Sequence, residues 1–107
     1  MRAAGRAVRV CALSQIPEEG SLRVLADGRP VCIARSNGEV FAILDRCSHA
    51  DVALSEGDVD HGTIECWLHG SRFDLRTGTP TGLPAIRPVP TFPVPGEGDD
   101  VLLQMES

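Results

Sequence analysis

The chain of 107 residues contains no lysine, so all ten of its basic side chains are arginines. Fifteen acidic residues leave a formal net charge of −5, which argues against nucleic acid or an anionic membrane as the main partner. No apolar run approaches the ~20 residues that a membrane-spanning helix needs. No apolar segment follows the arginines near the N-terminus, so no secretory signal is predicted and a cytoplasmic protein is expected.

The sequence also lacks the periodicity of an amphipathic helix of ordinary length, which favours short strands separated by turns. Strands are predicted over 8–13, 22–26, 31–34, 39–44, 71–75 and 101–105. Asn37-Gly38 predicts a hairpin turn, and 50–54 is expected to form at most one helical turn. The proline-rich stretch 80–95 should be extended but poor at central pairing. The prediction is one all-β domain.

Two short Cys/His pairs lie in the middle of the chain, Cys47-x-His49 and Cys66-x-x-His69. Sixteen residues separate His49 from Cys66, and the pairs use two of the three histidines and two of the four cysteines. Each pair is short enough for both side chains to point into one site from one loop. The sequence therefore predicts a metal centre with two thiolates and two imidazoles.

Two metal centres fit this donor set. A structural zinc site in an interaction domain is one interpretation, because two thiolates and two imidazoles form a normal tetrahedral zinc set. Zinc fingers, however, usually pair Cys with Cys and His with His along the chain. Mixed pairs suit a two-iron cluster in which one iron takes both thiolates and the other takes both imidazoles. The pattern favours a [2Fe–2S] cluster and leaves zinc as the alternative.

The two pairs and their neighbours resemble the motif of Rieske proteins. Segment 66–74 is similar to the second ligand loop of soluble, low-potential Rieske-type ferredoxins, and segment 82–85 to their proline-containing loop. The resemblance spans the whole chain and implies three stacked small antiparallel sheets. It also implies a cluster-binding subdomain over 46–83 and a base formed by 1–45 and 84–107.

The resemblance implies one Rieske-type [2Fe–2S] cluster and a set of residues around it. The four implied ligands are Cys47, His49, Cys66 and His69. The histidines would bind iron through Nδ1 and present Nε2–H to solvent. The side chains expected around the cluster without binding it are Ser71, Trp67 and Pro84. Trp67 is further expected to pack beneath the ligand loops, together with Phe73.

The two remaining cysteines and the third histidine are expected to be structural residues, not ligands. Cys11 and Cys32 lie in apolar, strand-like runs and are expected to be buried hydrophobic residues without a disulfide. His61 lies in a predicted turn and is expected on the surface. Four acidic residues follow the first pair and are expected to form a solvated face or part of a docking surface: Asp51, Glu56, Asp58 and Asp60.

The expected function is to carry one electron from a flavoprotein reductase to a non-haem iron oxygenase. The chain is not expected to be an enzyme, since a mononuclear iron site needs two histidines and a carboxylate, and only His61 remains. A second interpretation is a ferredoxin serving the SUF iron–sulfur assembly system, because 47–81 also resembles such proteins. The small subunit of assimilatory nitrite reductase is set aside because it lacks the four ligands.

Comparison with high-potential Rieske proteins predicts a low reduction potential. Those proteins carry a disulfide beside the cluster, where this chain has Val52 and Leu68, and a tyrosine where it has Phe73. Lost hydrogen-bond donors make the reduced state less stable. We expect a potential of ~−150 mV, the low end of the Rieske range. An anaerobic redox titration followed by EPR and visible absorption measures it, and a value near the top of the range would contradict the prediction.

Overall fold

The computed structural model describes residues 6–48, 52–68, 70–83, 85–97 and 99–105. Within these ranges the strands are β1 (Arg6–Ala12), β2 (Gly20–Ala26), β3 (Arg29–Ser36), β4 (Glu39–Leu44), β5 (Val59–Asp60), β6 (Thr63–Glu65), β7 (Arg72–Asp74), β8 (Thr91–Phe92), β9 (Gly96–Glu97) and β10 (Asp100–Met105). Two short 3₁₀ turns, Leu13–Gln15 and Leu54–Glu56, accompany them. In this part of the chain, no helix has the length and apolar character that crossing a membrane requires. The all-β prediction is confirmed.

The strands form three small antiparallel sheets. The first sheet has the order β1-β10-β9, the central sheet β2-β3-β4-β8, and the third sheet β5-β6-β7. The first and central sheets draw all their strands from 6–44 and 91–105, whereas the third sheet lies entirely within 59–74. The third sheet therefore belongs to the stretch of chain that contains both Cys/His pairs.

Strand β3 is buried on both faces, which makes the central sheet the middle layer. Val31 and Ile33 face a core shared with the first sheet, whereas Cys32 and Ala34 face a core shared with the third. The first core also contains Cys11, Ile16, Ala26, Ala42, Val101 and Leu103. The second core also contains Ile43, Cys47, Leu54, Val59, Ile64, Cys66, Phe73, Leu75, Ala85 and Val89. A continuous apolar run is the expected pattern for such a strand.

Tight turns fix the register of the hairpins. Asn37 and Gly38 have φ values of +53° and +78°, so the turn between β3 and β4 is of the type that matches strand twist. The predicted hairpin at this position is confirmed. His61 and Gly62 repeat the geometry between β5 and β6, with φ values of +50° and +76°. The His61 side chain is exposed in this turn, as predicted.

The elements that the sequence did not predict are the shortest ones. β5 and β9 have two residues each, which is too few to show a period of two. In the stretch 80–95, β8 pairs with the edge of β4 at two positions and Pro80 forms an isolated bridge with Phe73 of β7. This short pairing agrees with the proline content of the stretch. The predicted helical turn over 50–54 falls partly outside the described residues, and the observed turn begins at Leu54.

A buried hydroxyl joins the central sheet to the third sheet. Ser36, at the end of β3, donates its hydroxyl hydrogen to the Glu19 carboxylate and accepts the Gly62 N–H at 2.9 Å. Glu19 also accepts the Asn37 N–H at 2.7 Å. This backbone N–H, followed by the Ser36 hydroxyl, lowers the pKa of Glu19 from its ordinary value. The ionised carboxylate thus orients Ser36 toward the turn of the third sheet.

We predict that the Glu19→Gln substitution makes the thermal stability of the protein less dependent on pH in the acid range. A carboxyl with a lowered folded-state pKa stabilises above its ordinary value of 4.5 and loses this contribution as the pH falls through the folded value. The gap in Tm between wild type and variant should therefore be widest near neutral pH and close as acid is added. Thermal unfolding followed by circular dichroism from about pH 7 to about pH 2.5 measures it, because the contribution is lost only below the ordinary pKa of the carboxyl.

Glu18→Gln is the matched control for this prediction. Glu18 is the neighbouring carboxylate, and its side chain is exposed with only a 3.8 Å ion pair to Arg35. Its substitution should barely change Tm, because exposed ion pairs contribute little. A Tm gap for Glu19→Gln that stays constant across the pH range would contradict the role assigned to Glu19.

Candidate metal centre

Three loops meet beside the third sheet. The first loop (47–53) follows β4, the second loop (66–71) joins β6 to β7, and the third loop (82–88) leads toward β8. The Ser48 hydroxyl donates to the Arg87 carbonyl oxygen at 2.5 Å. The Ala85 N–H donates to the Ser71 hydroxyl oxygen at 3.0 Å. The third loop is therefore fastened to both of the loops that carry a Cys/His pair.

Hydrogen bonds join the two ends of the segment that contains the first loop and Cys47. The Cys47 N–H donates to the Val52 carbonyl oxygen at 2.9 Å. Just before the loop, the Asp45 carboxylate accepts the Ser55 N–H at 2.7 Å and the Ser55 hydroxyl at 2.6 Å. These bonds join the two ends of a segment of eleven residues, 45–55, and hold the buried Cys47 side chain in the second core.

The second loop is a tight connection within the β6–β7 hairpin. The Cys66 N–H donates to the Ser71 carbonyl oxygen at 2.6 Å, and the Gly70 N–H donates to the Cys66 carbonyl oxygen at 2.8 Å. Gly70 has a φ of +78°, which a side chain would disfavour. This turn directs both Cys66 and Ser71 inward, and both side chains are buried.

The segments beside the first and second loops approach each other closely at a glycine. A Cβ atom added to Gly57, just after the first loop, would lie 1.6 Å from the Glu65 carbonyl oxygen. The Glu65 N–H also donates to the Asp58 carbonyl oxygen at 2.9 Å. Because Glu65 immediately precedes Cys66, this close approach sets the distance between the two cysteine-bearing segments. Position 57 can therefore hold only glycine without a shift of the backbone.

The structure places the two predicted thiolate ligands in the same core. Cys47 and Cys66 come from different loops, and both side chains belong to the second core. The predicted ligands His49 and His69 lie outside the described residues, as does Pro84. In the described part of the chain, no group of three or more candidate ligand side chains is assembled.

The two aromatic residues in and after the second Cys/His pair differ in burial. Phe73 is fully buried, as expected. Trp67 is 51% exposed, so the prediction that it packs beneath the loops is wrong. The reason is that Cys66 and Ser71 take the inward positions of the second loop and leave Trp67 pointing outward.

Cys11 and Cys32 are buried free thiols in different cores, and the expectation that both are buried core residues is confirmed. Burial raises the pKa of the Cys11 thiol, and Arg9 opposes this rise. Burial also raises the pKa of Cys32 to about 12, with a smaller rise from the negative charge of Asp45 and an opposing hydrogen bond from Ser21. Both thiols are protonated near neutral pH and behave as apolar core residues.

Sequence reasoning missed Asp45. It follows the apolar residues of β4, yet its side chain is fully buried and accepts hydrogen bonds from Ser55 and from Arg23 Nη1, the latter at 3.1 Å. A charged residue at the end of an apolar strand was the available signal, but the same pattern also occurs where a strand simply ends at the surface. The partners Arg23 and Ser55 are too distant along the chain to be inferred from spacing.

The donor chemistry of this site fits an iron–sulfur cluster. Thiolates are the sulfur ligands that such clusters require, and the described pair supplies two of them from adjoining loops. Both cysteines lie in apolar surroundings, and their neighbour Ser71 has its hydroxyl oxygen engaged by Ala85. The Ser71 hydroxyl can still donate its own hydrogen toward the site.

Comparison with known proteins gives the same result. The family model of the Rieske [2Fe-2S] domain matches residues 6–93. The ferredoxin component of biphenyl 2,3-dioxygenase from Rhodococcus jostii (strain RHA1) is 42% identical over 98 residues, which are 92% of each chain. The chain belongs to the Rieske [2Fe-2S] domain family. It carries a Rieske-type [2Fe–2S] cluster and transfers electrons as a ferredoxin rather than catalysing a reaction.

Solved structures share the whole fold. The ferredoxin of carbazole 1,9a-dioxygenase from Nocardioides aromaticivorans IC177 aligns with a TM-score of 0.87 and 39% identity, over 94% of this chain and 98% of that one. One chain of a complex of reduced oxygenase and oxidized ferredoxin of carbazole 1,9a-dioxygenase aligns with a TM-score of 0.86 and 32% identity, over 94% of each chain. These likenesses confirm the predicted Rieske-type ferredoxin fold.

Proposed function

We propose that the cluster is bound by Cys47, His49, Cys66 and His69. The proposal is supported by the buried Cys47 and Cys66 side chains, which come from adjoining loops, and by the histidine that follows each cysteine within three residues. Two thiolates and two imidazoles are the Rieske ligand set. The subdomain division into 46–83 and its flanking base is part of the same proposal, since the third sheet and both pairs fall within 46–83.

The relatives also suggest the electron donor and the electron acceptor of this protein. We propose that this ferredoxin accepts one electron from a flavoprotein reductase and delivers it to a non-haem iron oxygenase. Support comes from the relatives above, which are ferredoxins of dioxygenase systems, and from the solved complex of an oxygenase with its ferredoxin. These relatives favour the oxygenase role over the SUF and zinc-domain interpretations. A cytoplasmic location completes the proposal, and the buried thiols Cys11 and Cys32 are consistent with a reducing compartment.

The exposed apolar side chains around the three loops mark the surface on which partners would dock. Trp67 and Leu68 lie on the second loop, and Leu83 and Ile86 on the third, all four of them exposed. Apolar side chains grouped on one surface are typical of an interaction site. Electron transfer requires a short distance between redox centres, so a partner should cover these loops. The exposed acids Glu56, Asp58 and Asp60 lie between the first loop and β6 and would extend this surface.

The ligand proposal predicts opposite outcomes for two histidine substitutions. His69→Ala removes one imidazole from the proposed ligand set, so the variant should lose the Rieske-type EPR signal and the visible absorption. His61→Ala is the matched control, because this third histidine is exposed in a turn, and it should keep both. A His69→Ala protein with an unchanged Rieske-type signal would refute the ligation. A colourless wild-type protein containing zinc would restore the zinc interpretation.

The docking proposal predicts a kinetic defect without a change in the cluster. Leu83 is 79% exposed, and Leu83→Ser should lower kcat/KM for the oxygenase roughly tenfold, since burying a leucine contributes ~1.5–3 kcal/mol. The potential and visible spectrum should stay those of wild type. Leu25→Ser is the control, because Leu25 is 70% exposed on β2, outside the three loops. Equal kcat/KM values for both variants would exclude the third loop from the docking surface.

A further inference from the structure

A buried charge lies at the entrance to the first loop. Asp45 is two residues before Cys47, and its side chain is 0% exposed. Its carboxylate accepts the Ser55 N–H at 2.7 Å, the Ser55 hydroxyl at 2.6 Å and Arg23 Nη1 at 3.1 Å. Each of these partners donates, and an ionised carboxylate only accepts. The arrangement therefore holds Asp45 as a full negative charge.

Arg23, which forms the ion pair with Asp45, is partly exposed to solvent. Arg23 is on β2, and β3 separates that strand from β4, which leads into the first loop. The Arg23 side chain is 51% exposed, so water solvates the guanidinium and reduces, without removing, its effect on groups in the core. The ion pair is thus oriented with its negative, unsolvated end in the interior and its positive end toward solvent.

The charge of Asp45 acts inside the core that contains the two cysteines. Cys32 belongs to the same group of buried residues as Cys47 and Cys66. The negative charge of Asp45 adds to the rise in the Cys32 pKa, because it opposes a second anion in this core. Any other negative charge placed in this core would meet the same opposition.

We propose that Asp45 is a fixed negative charge that lowers the reduction potential of the Rieske cluster. The inference rests on the proposed ligation of the cluster by Cys47. Two ferric ions, two sulfides and two thiolates sum to zero, so one electron supplied by the reductase leaves a charge of −1 on the site. A nearby carboxylate makes that electron less favourable, and salt screens a buried charge only weakly.

Potentials of the cluster-loaded variants Asp45→Asn and Arg23→Gln test this inference. Asparagine keeps the size of the side chain and an acceptor for the Ser55 N–H but removes the charge, so the potential should rise. Arg23→Gln removes the cation and leaves Asp45 uncompensated, so the potential should fall. A purely structural role for the pair gives no reason for shifts of opposite sign.

Arg9→Gln is the matched control. It breaks the 2.9 Å ion pair between Arg9 and Asp100, which joins β1 to β10 in the first sheet and is half-exposed on both sides. The potential of this variant should equal that of wild type, because solvent and salt screen an exposed pair outside the cysteine-bearing loops.

The outcomes separate the inference from the ligation on which it rests. Unchanged potentials in Asp45→Asn and Arg23→Gln, or shifts of the same sign, overturn the role of Asp45 while the ligation stands. Where Asp45→Asn fails to fold, Arg23→Gln decides: a lower potential supports the inference and an unchanged one overturns it. A wild-type protein without a Rieske-type EPR signal refutes the ligation and this inference with it.

Discussion

The burial of β3 on both faces is the constraint on which the rest of the molecule depends. Its alternate side chains belong to two separate cores, so a slip of one residue in its pairing would exchange Val31 and Ile33 with Cys32 and Ala34. Both neighbouring strands, and through them the first and third sheets, take their positions from this register. The ligand loops in turn start from β4 and from the third sheet, so their position follows from the packing of the central sheet.

Sequence reasoning went furthest where a local rule decides the structure. The hairpin at Asn37-Gly38 follows from the φ values that the turn demands, and the Cys/His spacing led to the Rieske family. It failed where the outcome depends on contacts between distant segments. The exposure of Trp67 depends on which residues of the second loop turn inward, and the burial of Asp45 depends on partners 22 and 10 residues away. All four cluster ligands, the two cysteines and the two histidines, stay a prediction.

The structure separates two tasks that a small electron carrier must combine. Buried polar groups hold the cysteine-bearing loops, through Asp45 with Ser55 on one side and Ser71 with Ala85 on the other. Exposed apolar side chains on the second and third loops cover the outer surface of the same region. The positions of the cysteine-bearing loops are thus fixed by buried groups, and the proposed recognition of partners uses exposed ones. The buried polar residues that hold the loops make no use of the exposed apolar side chains, so either set can change without the other.

The third loop shows how far this independence extends. Its two fastenings use the Arg87 carbonyl oxygen and the Ala85 N–H, which every residue at those positions except proline at 85 would provide. If the proposed docking surface is correct, mutations of its exposed side chains during evolution can therefore change which partner protein is recognised, while both fastenings stay in place. New electron-transfer pairings could arise by a few surface substitutions, without passing through variants that have lost the cluster.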